Sequence, residues 1–241
     1  MSTQFSFLLY VLLGTLAGIL GSVIALFWNP GARLRSAIQH FAAGAVLAAI
    51  ASNVIPEVER IGTLPGIVAG FIVGGLAMIG LKWIVVRLER REMRGQKVPV
   101  GIAAAAAVDT LIDGLIISAG FSIDPHLGTL LLLALALELF FLTLSVGVEF
   151  RRGQYKPWPI LLTGAGIACM LLVGGLVGGI FFSSASQATL AVVLSFGAAA
   201  LIYLIAEELL VETIQAEDSV FPTLTLFSGF LVLLILQMIS R

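Results

Sequence analysis

Long apolar runs, broken only by short polar or Pro/Gly-containing punctuation, cover almost the whole chain. Cutting at that punctuation leaves eight segments, at roughly 5–28, 36–57, 62–87, 99–121, 126–149, 157–182, 187–213 and 219–240. Each is close to the ~20 residues that an α-helix, rising 1.5 Å per residue, needs to cross the hydrocarbon core of a bilayer. In lipid every backbone polar group must be satisfied within the segment or by a closed barrel, and runs of this length point to helices. The pattern predicts an all-α integral membrane protein with eight transmembrane helices in one domain, residues 1–241. The connections are short, so the helices must form a compact bundle, and the longest connection is the polar stretch at 88–98.

Composition agrees with the pattern. The chain is 59% hydrophobic and 11% charged, with a mean hydropathy of +1.10, whereas a soluble domain carries about 25% charged residues. The lipid bilayer is the expected partner and nucleic acid is not. The single cysteine, Cys169, excludes a disulfide framework and a Cys-based metal cluster, and reads as a small packing residue. The first apolar run lacks a basic n-region and is long enough to span, so it reads as a helix rather than a cleaved signal. Most of the 26 glycines lie within the runs, as expected where helices pack closely in lipid.

Lys and Arg fix an expected orientation. Arg33, Arg35, Arg87, Arg90, Arg91, Arg94, Lys97, Arg151, Arg152 and Lys156 fall on one side, against Arg60 and Arg241 on the other. Lys82 lies within the third span near its basic end, from which it can snorkel toward the interface. The positive-inside rule then places the three basic loops in the cytoplasm and both termini on the non-cytoplasmic side. Compact loops without targeting extensions favour a bacterial inner membrane.

Against this background three carboxylates stand out. Asp109 and Asp113 lie in the fourth span and Glu138 in the fifth. A carboxylate at the bilayer centre costs about 2.5–3.5 kcal/mol on insertion scales, so such residues face a protein interior or an aqueous cavity. The four-residue spacing puts Asp109 and Asp113 on one helix face, and the residue count puts Asp109 and Glu138 near one depth. Carboxylates sharing a site cannot all stay ionised unless a cation binds; otherwise one takes a proton. Cation binding that displaces protons is therefore the expected chemistry. Thr110, Thr143 and Ser118 or Ser145 can add hydroxyls, and Gly114 permits close helix approach or local unwinding. The structural alternative is protonated acids that hydrogen-bond between helices.

Two further segments carry polar groups at depth. In the seventh span, IAEELLVET offers Glu207, Glu208 and Glu212, the first two as an exit path or second station. In the second, SNVIPEVE offers Ser52 and Asn53 as uncharged donors, with Pro56 expected to kink or end the helix. Glu57 and Glu59 would make an acidic vestibule or simply a solvated helix end. His40 and His126 read as interfacial rather than as ligands. Residues 41–58 also align without gaps on 196–213, with Phe41/Phe196, Ala43/Ala198, Ala45/Ala200, Ile50/Ile205, Ala51/Ala206 and Glu57/Glu212 identical. The two spans cross in opposite senses, which suggests inverted halves, spans 1–3 and 6–8, around a central pair.

These residues carry a resemblance to the ZIP (Zrt-/Irt-like) divalent-metal transporters. In that family the fourth helix bears H-N-x-P-E-G and the fifth H-E-x-P-E-G. Here D-T-L-I-D-G places Asp109 at the His, Thr110 at the Asn, Asp113 at the Glu and Gly114 at the Gly, and E-L-F-F-L-T places Glu138 at the second His. Glu207, Glu208 and Glu212 match acidic positions of the family's seventh helix, and AAGAVLAAIASNVIPE resembles its second. The sequence departs from the motif at both His positions, at both Pro positions (Ile112 and Phe141) and at one bridging acid (Leu142). The resemblance implies a 3+2+3 inverted-repeat bundle that imports a divalent metal ion by alternating access. It implies a metal site at Asp109, Asp113, Glu138 and Thr110, with Ser52, Asn53, Glu207 and Glu208 as further candidates. Losing imidazole for oxygen shifts the expected preference toward harder cations such as Mn²⁺, without excluding zinc.

A divalent cation is thus expected as substrate, a second copy of the chain stays open as a partner, and no enzyme motif appears. The rival readings are a proton-coupled carrier of another cation and a non-transporting sensor or scaffold with structural carboxyls.

Overall fold

The computed structural model describes residues 2–92, 100–215 and 220–239; at 2–6, 32, 88–92, 100 and 208–215 the description extends to the backbone only. Every secondary-structure element among these residues is helical. The helices are α1 (Ser2–Phe27), α2 (Ala32–Ala49), α3 (Ile55–Ile61), α4 (Leu64–Glu92), α5 (Val100–Ile123), α6 (Pro125–Arg152), α7 (Pro157–Phe182), α8 (Gln187–Gln215) and α9 (Val220–Ile239). A π-helical turn, Ile50–Val54, joins α2 to α3, so these form one membrane span. Eight helices among the described residues are long and apolar enough to cross a membrane. The fold is an all-α membrane bundle.

Two boundaries differ from the sequence pattern. Residues 88–92, expected in a loop, continue α4 to Glu92, while 93–99 lie outside the described residues. Pro56 does not end the second span, which runs on to Ile61. A proline lacks the N–H that would bond the carbonyl four residues back, and that carbonyl belongs to Ser52. The π turn relieves the crowding, and a side chain from α9 supplies a donor: Gln237 Nε2 donates to Ser52 O (3.2 Å) and to Asn53 Oδ1 (2.7 Å).

Packing proceeds by helix pairs. The most extensive contacts are α5 on α7, α1 on α6, α2 on α9 and α4 on α8. Small residues let backbones touch in each. A Cβ at Gly174 would collide with Leu111 O, and one at Gly114 with Leu171 O. In the same way Gly21 abuts Phe140 O, Gly229 abuts Phe41 O, and Gly74 abuts Phe196 O. Gly114 therefore serves close approach, and α5 passes through it without unwinding. Hydroxyls reinforce the pairs: Thr143 Oγ1 donates to Gly18 O (2.7 Å) and Ser118 Oγ to Gly175 O (3.2 Å). Both thereby donate their protons across helix–helix contacts.

The outward faces of α4 and α9 carry large exposed apolar chains, among them Phe71, Leu76, Phe227 and Leu231, suited to lipid. Cys169 also faces outward and is not a packing residue. Arg87 stacks over Trp83, 4.0 Å from the ring centroid, near the basic end of α4, where aromatic and basic side chains anchor spans to the interface.

Candidate cation site and its access cavity

A cavity of about 340 Å³ lies between α2, α4, α5, α6 and α8. Its polar lining is Gln39, Lys82, Asp109, Glu138, Tyr203 and Glu207, and much of the rest is apolar, including Met78, Phe141 and Leu142. Each helix contributes residues between its middle and the end nearer the basic loops: 39–43 of α2, 78–85 of α4, 102–109 of α5, 138–142 of α6 and 203–207 of α8. Asp109 is the tenth of the 24 residues of α5, and Glu138 the fourteenth of the 28 of α6. They mark the inner end of the cavity, near the middle of the bundle.

Asp113 lies one turn beyond, about 6 Å along the axis, and does not line the cavity. It is 1% exposed. Asp113 Oδ1 and Thr110 Oγ1 are buried with no hydrogen-bond partner among the described residues. Buried polar atoms without partners are uncommon, because each forfeits its hydration. Ile116 and Ile117, further along α5, and Leu131 and Leu135 of α6 are buried in the apolar core.

The structure therefore brings together Asp109, Glu138 and Glu207 on one cavity, with Asp113 and Thr110 buried behind it. It does not bring Ser52 and Asn53 there: they lie in the opposite half of the second span, tied to Gln237. Pro56 leaves the Ser52 carbonyl without its helical donor, and Gln237 of α9 takes it together with the Asn53 side chain. Glu208 and Glu212 have side chains outside the described residues. His40 is buried, with Nδ1 2.9 Å from Ser36 O, rather than interfacial. Among the described residues no group of three or more His, Cys, Asp or Glu side chains is arranged to hold a metal ion. The acids share a region without forming a closed cage.

Three lining groups escaped the sequence reading: Gln39, Tyr203 and Lys82. Lys82 Nζ sits 2.6 Å from Glu207 Oε1, with about half of the lysine side chain still exposed. A lysine and a glutamate inside two apolar runs, each toward the basic end, was the available signal. Leu142, which replaces a family acid in the resemblance drawn above, faces the same cavity. Neither protein-family models nor curated proteins give a match to this sequence.

Proposed function

We propose that this chain is a membrane carrier of divalent metal cations, with a ZIP-like plan. The observation that carries the reading is the cavity confined to the basic-loop half, with Asp109 and Glu138 at its inner end. Carboxylates on a cavity wall, with apolar surroundings that strengthen their field, attract and desolvate a cation. Oxygen ligands of this kind suit Mn²⁺ and other hard cations and still accept Zn²⁺.

Asp109, Glu138 and the buried Asp113 take the cation in turn, Asp113 from the closed half and the other two toward the cavity. Bound cation replaces protons on the acids, and its departure lets them return. A cavity on the basic-loop side of Asp109 and Glu138, with Asp113 buried beyond them, fits one end state of alternating access. With the basic loops cytoplasmic, as in an inner membrane of a bacterium, this state faces inward, and import is the direction that the ZIP resemblance implies. A twofold relation of inverted halves is supported by one correspondence: the aligned residues Phe41 and Phe196 both present their carbonyls to a glycine, Gly229 of the last span and Gly74 of the third.

A second reading has its own observation. A volume of about 340 Å³ falls in the range of small-molecule pockets, and Phe141 and Tyr203 can face a cation with their rings. An organic ammonium ion would fit those features, with Asp109 and Glu138 as counter-charges.

Proteoliposomes loaded with a metal-sensitive dye test the two. Saturable, protein-dependent uptake of at least one of Mn²⁺, Fe²⁺, Zn²⁺, Cd²⁺ and Mg²⁺ is expected. Absence of uptake for all five overturns the metal reading, and uptake of choline instead would establish the second.

A further inference from the structure

Lys82 is the cavity's own cation. Its Nζ lies 2.6 Å from Glu207 Oε1, and Tyr203 hydrogen-bonds to the same carboxylate. Both partners line the cavity on the basic-loop side of Asp109 and Glu138. They also belong to one closely packed pair, since α4 and α8 meet backbone to backbone at Gly70 against Val192 and Gly74 against Phe196. The bridge therefore lies within one packed pair of helices, and opening of the bundle need not break it.

A carboxylate with a neighbouring phenol, placed between the inner acids and the basic-loop end, would be a cation station in its own right. A carrier must bind its ion firmly enough to load and weakly enough to let go. An unneutralised Glu207 would catch the leaving cation a second time. We propose that Lys82 is a tethered competitor: it occupies Glu207, so that only the inner acids retain the transported cation. This inference rests on the carrier reading. A tethered ammonium has a high effective concentration at its partner, yet a side-chain rotation can release it. The group thus lowers retention without closing the path.

Equilibrium Mn²⁺ binding to the full chain in nanodiscs tests it, with Mn²⁺ release from proteoliposomes as a second readout. Lys82→Met should gain one further bound Mn²⁺ per chain and slow release about tenfold. Lys82→Arg should behave as the parent chain, and Lys82→Met/Glu207→Gln should lose the additional site. If Lys82→Met does not fold, Lys82→Gln carries the same expectation. A folded Lys82→Met with unchanged stoichiometry and release, while the parent binds Mn²⁺, overturns the inference and leaves the carrier reading intact. A double variant that keeps the extra site also overturns it. A parent chain that binds no Mn²⁺ overturns the carrier reading and the inference with it.

Discussion

Asp109 and Asp113 lie one turn apart on α5, yet only Asp109 reaches the cavity; Asp113 is 1% exposed and sealed behind it. One helix face thus carries one carboxyl to a solvent-sized space and another into the packed interior. Their replacements should separate accordingly. Asp109→Asn is expected to abolish cation binding measured from the cavity side. Asp113→Asn should leave that binding within a few-fold of the parent while stopping transport. Calorimetry and vesicle uptake on the same preparations check the split; equal losses of binding in both variants would contradict it.

Gln237 makes a structural prediction. It donates to Ser52 O, the carbonyl that Pro56 leaves without its helical partner, and to Asn53 Oδ1. Gln237→Leu removes both donors from a buried site, which costs about 1–3 kcal/mol. Pro56→Ala in that background restores an N–H within reach of the chain's own carbonyls and should recover part of the loss. Thermal melting in detergent measures both steps, and additive effects of the two changes would remove the link.

Close packing of α5 on α7 gives a third. Gly174→Val would drive a side chain into the Leu111 carbonyl, where the obstacle is backbone and cannot swing aside. Overpacking of this kind costs about 1–3 kcal/mol or more, and should appear as a lowered melting temperature. Gly75 and Gly166 have nothing within 4 Å of an added Cβ. Alanine there should be neutral or stabilising by up to about 1 kcal/mol, through helix propensity.

Sidedness follows from the basic loops. In a Cys169→Ala background, cysteine at Ser184 should react with an impermeant maleimide in intact cells. Cysteine at Lys156 should react only after permeabilisation. The reverse pattern would place the basic loops outside and turn the carrier around.

The spans were legible because an apolar run fixes both helix length and depth. That Asp109 and Glu138 share a cavity was legible for the same reason: a charge in such a run has few acceptable places to go. Which face of a helix looks inward was less readable. Lipid is as apolar as the bundle interior, so the spans need no polar outer face to mark their orientation. Ser52 and Asn53 were therefore read as candidates beside the acids, whereas Gln237 holds the Ser52 carbonyl and the Asn53 side chain toward α9. Thr143 and Ser118 were read as hydroxyls able to join the acids, and each donates its proton across a helix contact. The pairing of Lys82 was not readable, because its partner, Glu207, lies more than a hundred residues away in sequence.

The central claim is that Asp109 and Glu138 retain the transported cation. Mn²⁺ uptake by proteoliposomes containing the parent chain, set beside the Asp109→Asn/Glu138→Gln double variant with matched incorporation and melting temperature, tests it most directly. Saturable uptake by the parent and a fall of at least about a hundredfold in the variant are expected, since loss of even an outer-shell partner costs 10–100-fold. Uptake by the folded double variant at the parent's rate would contradict it.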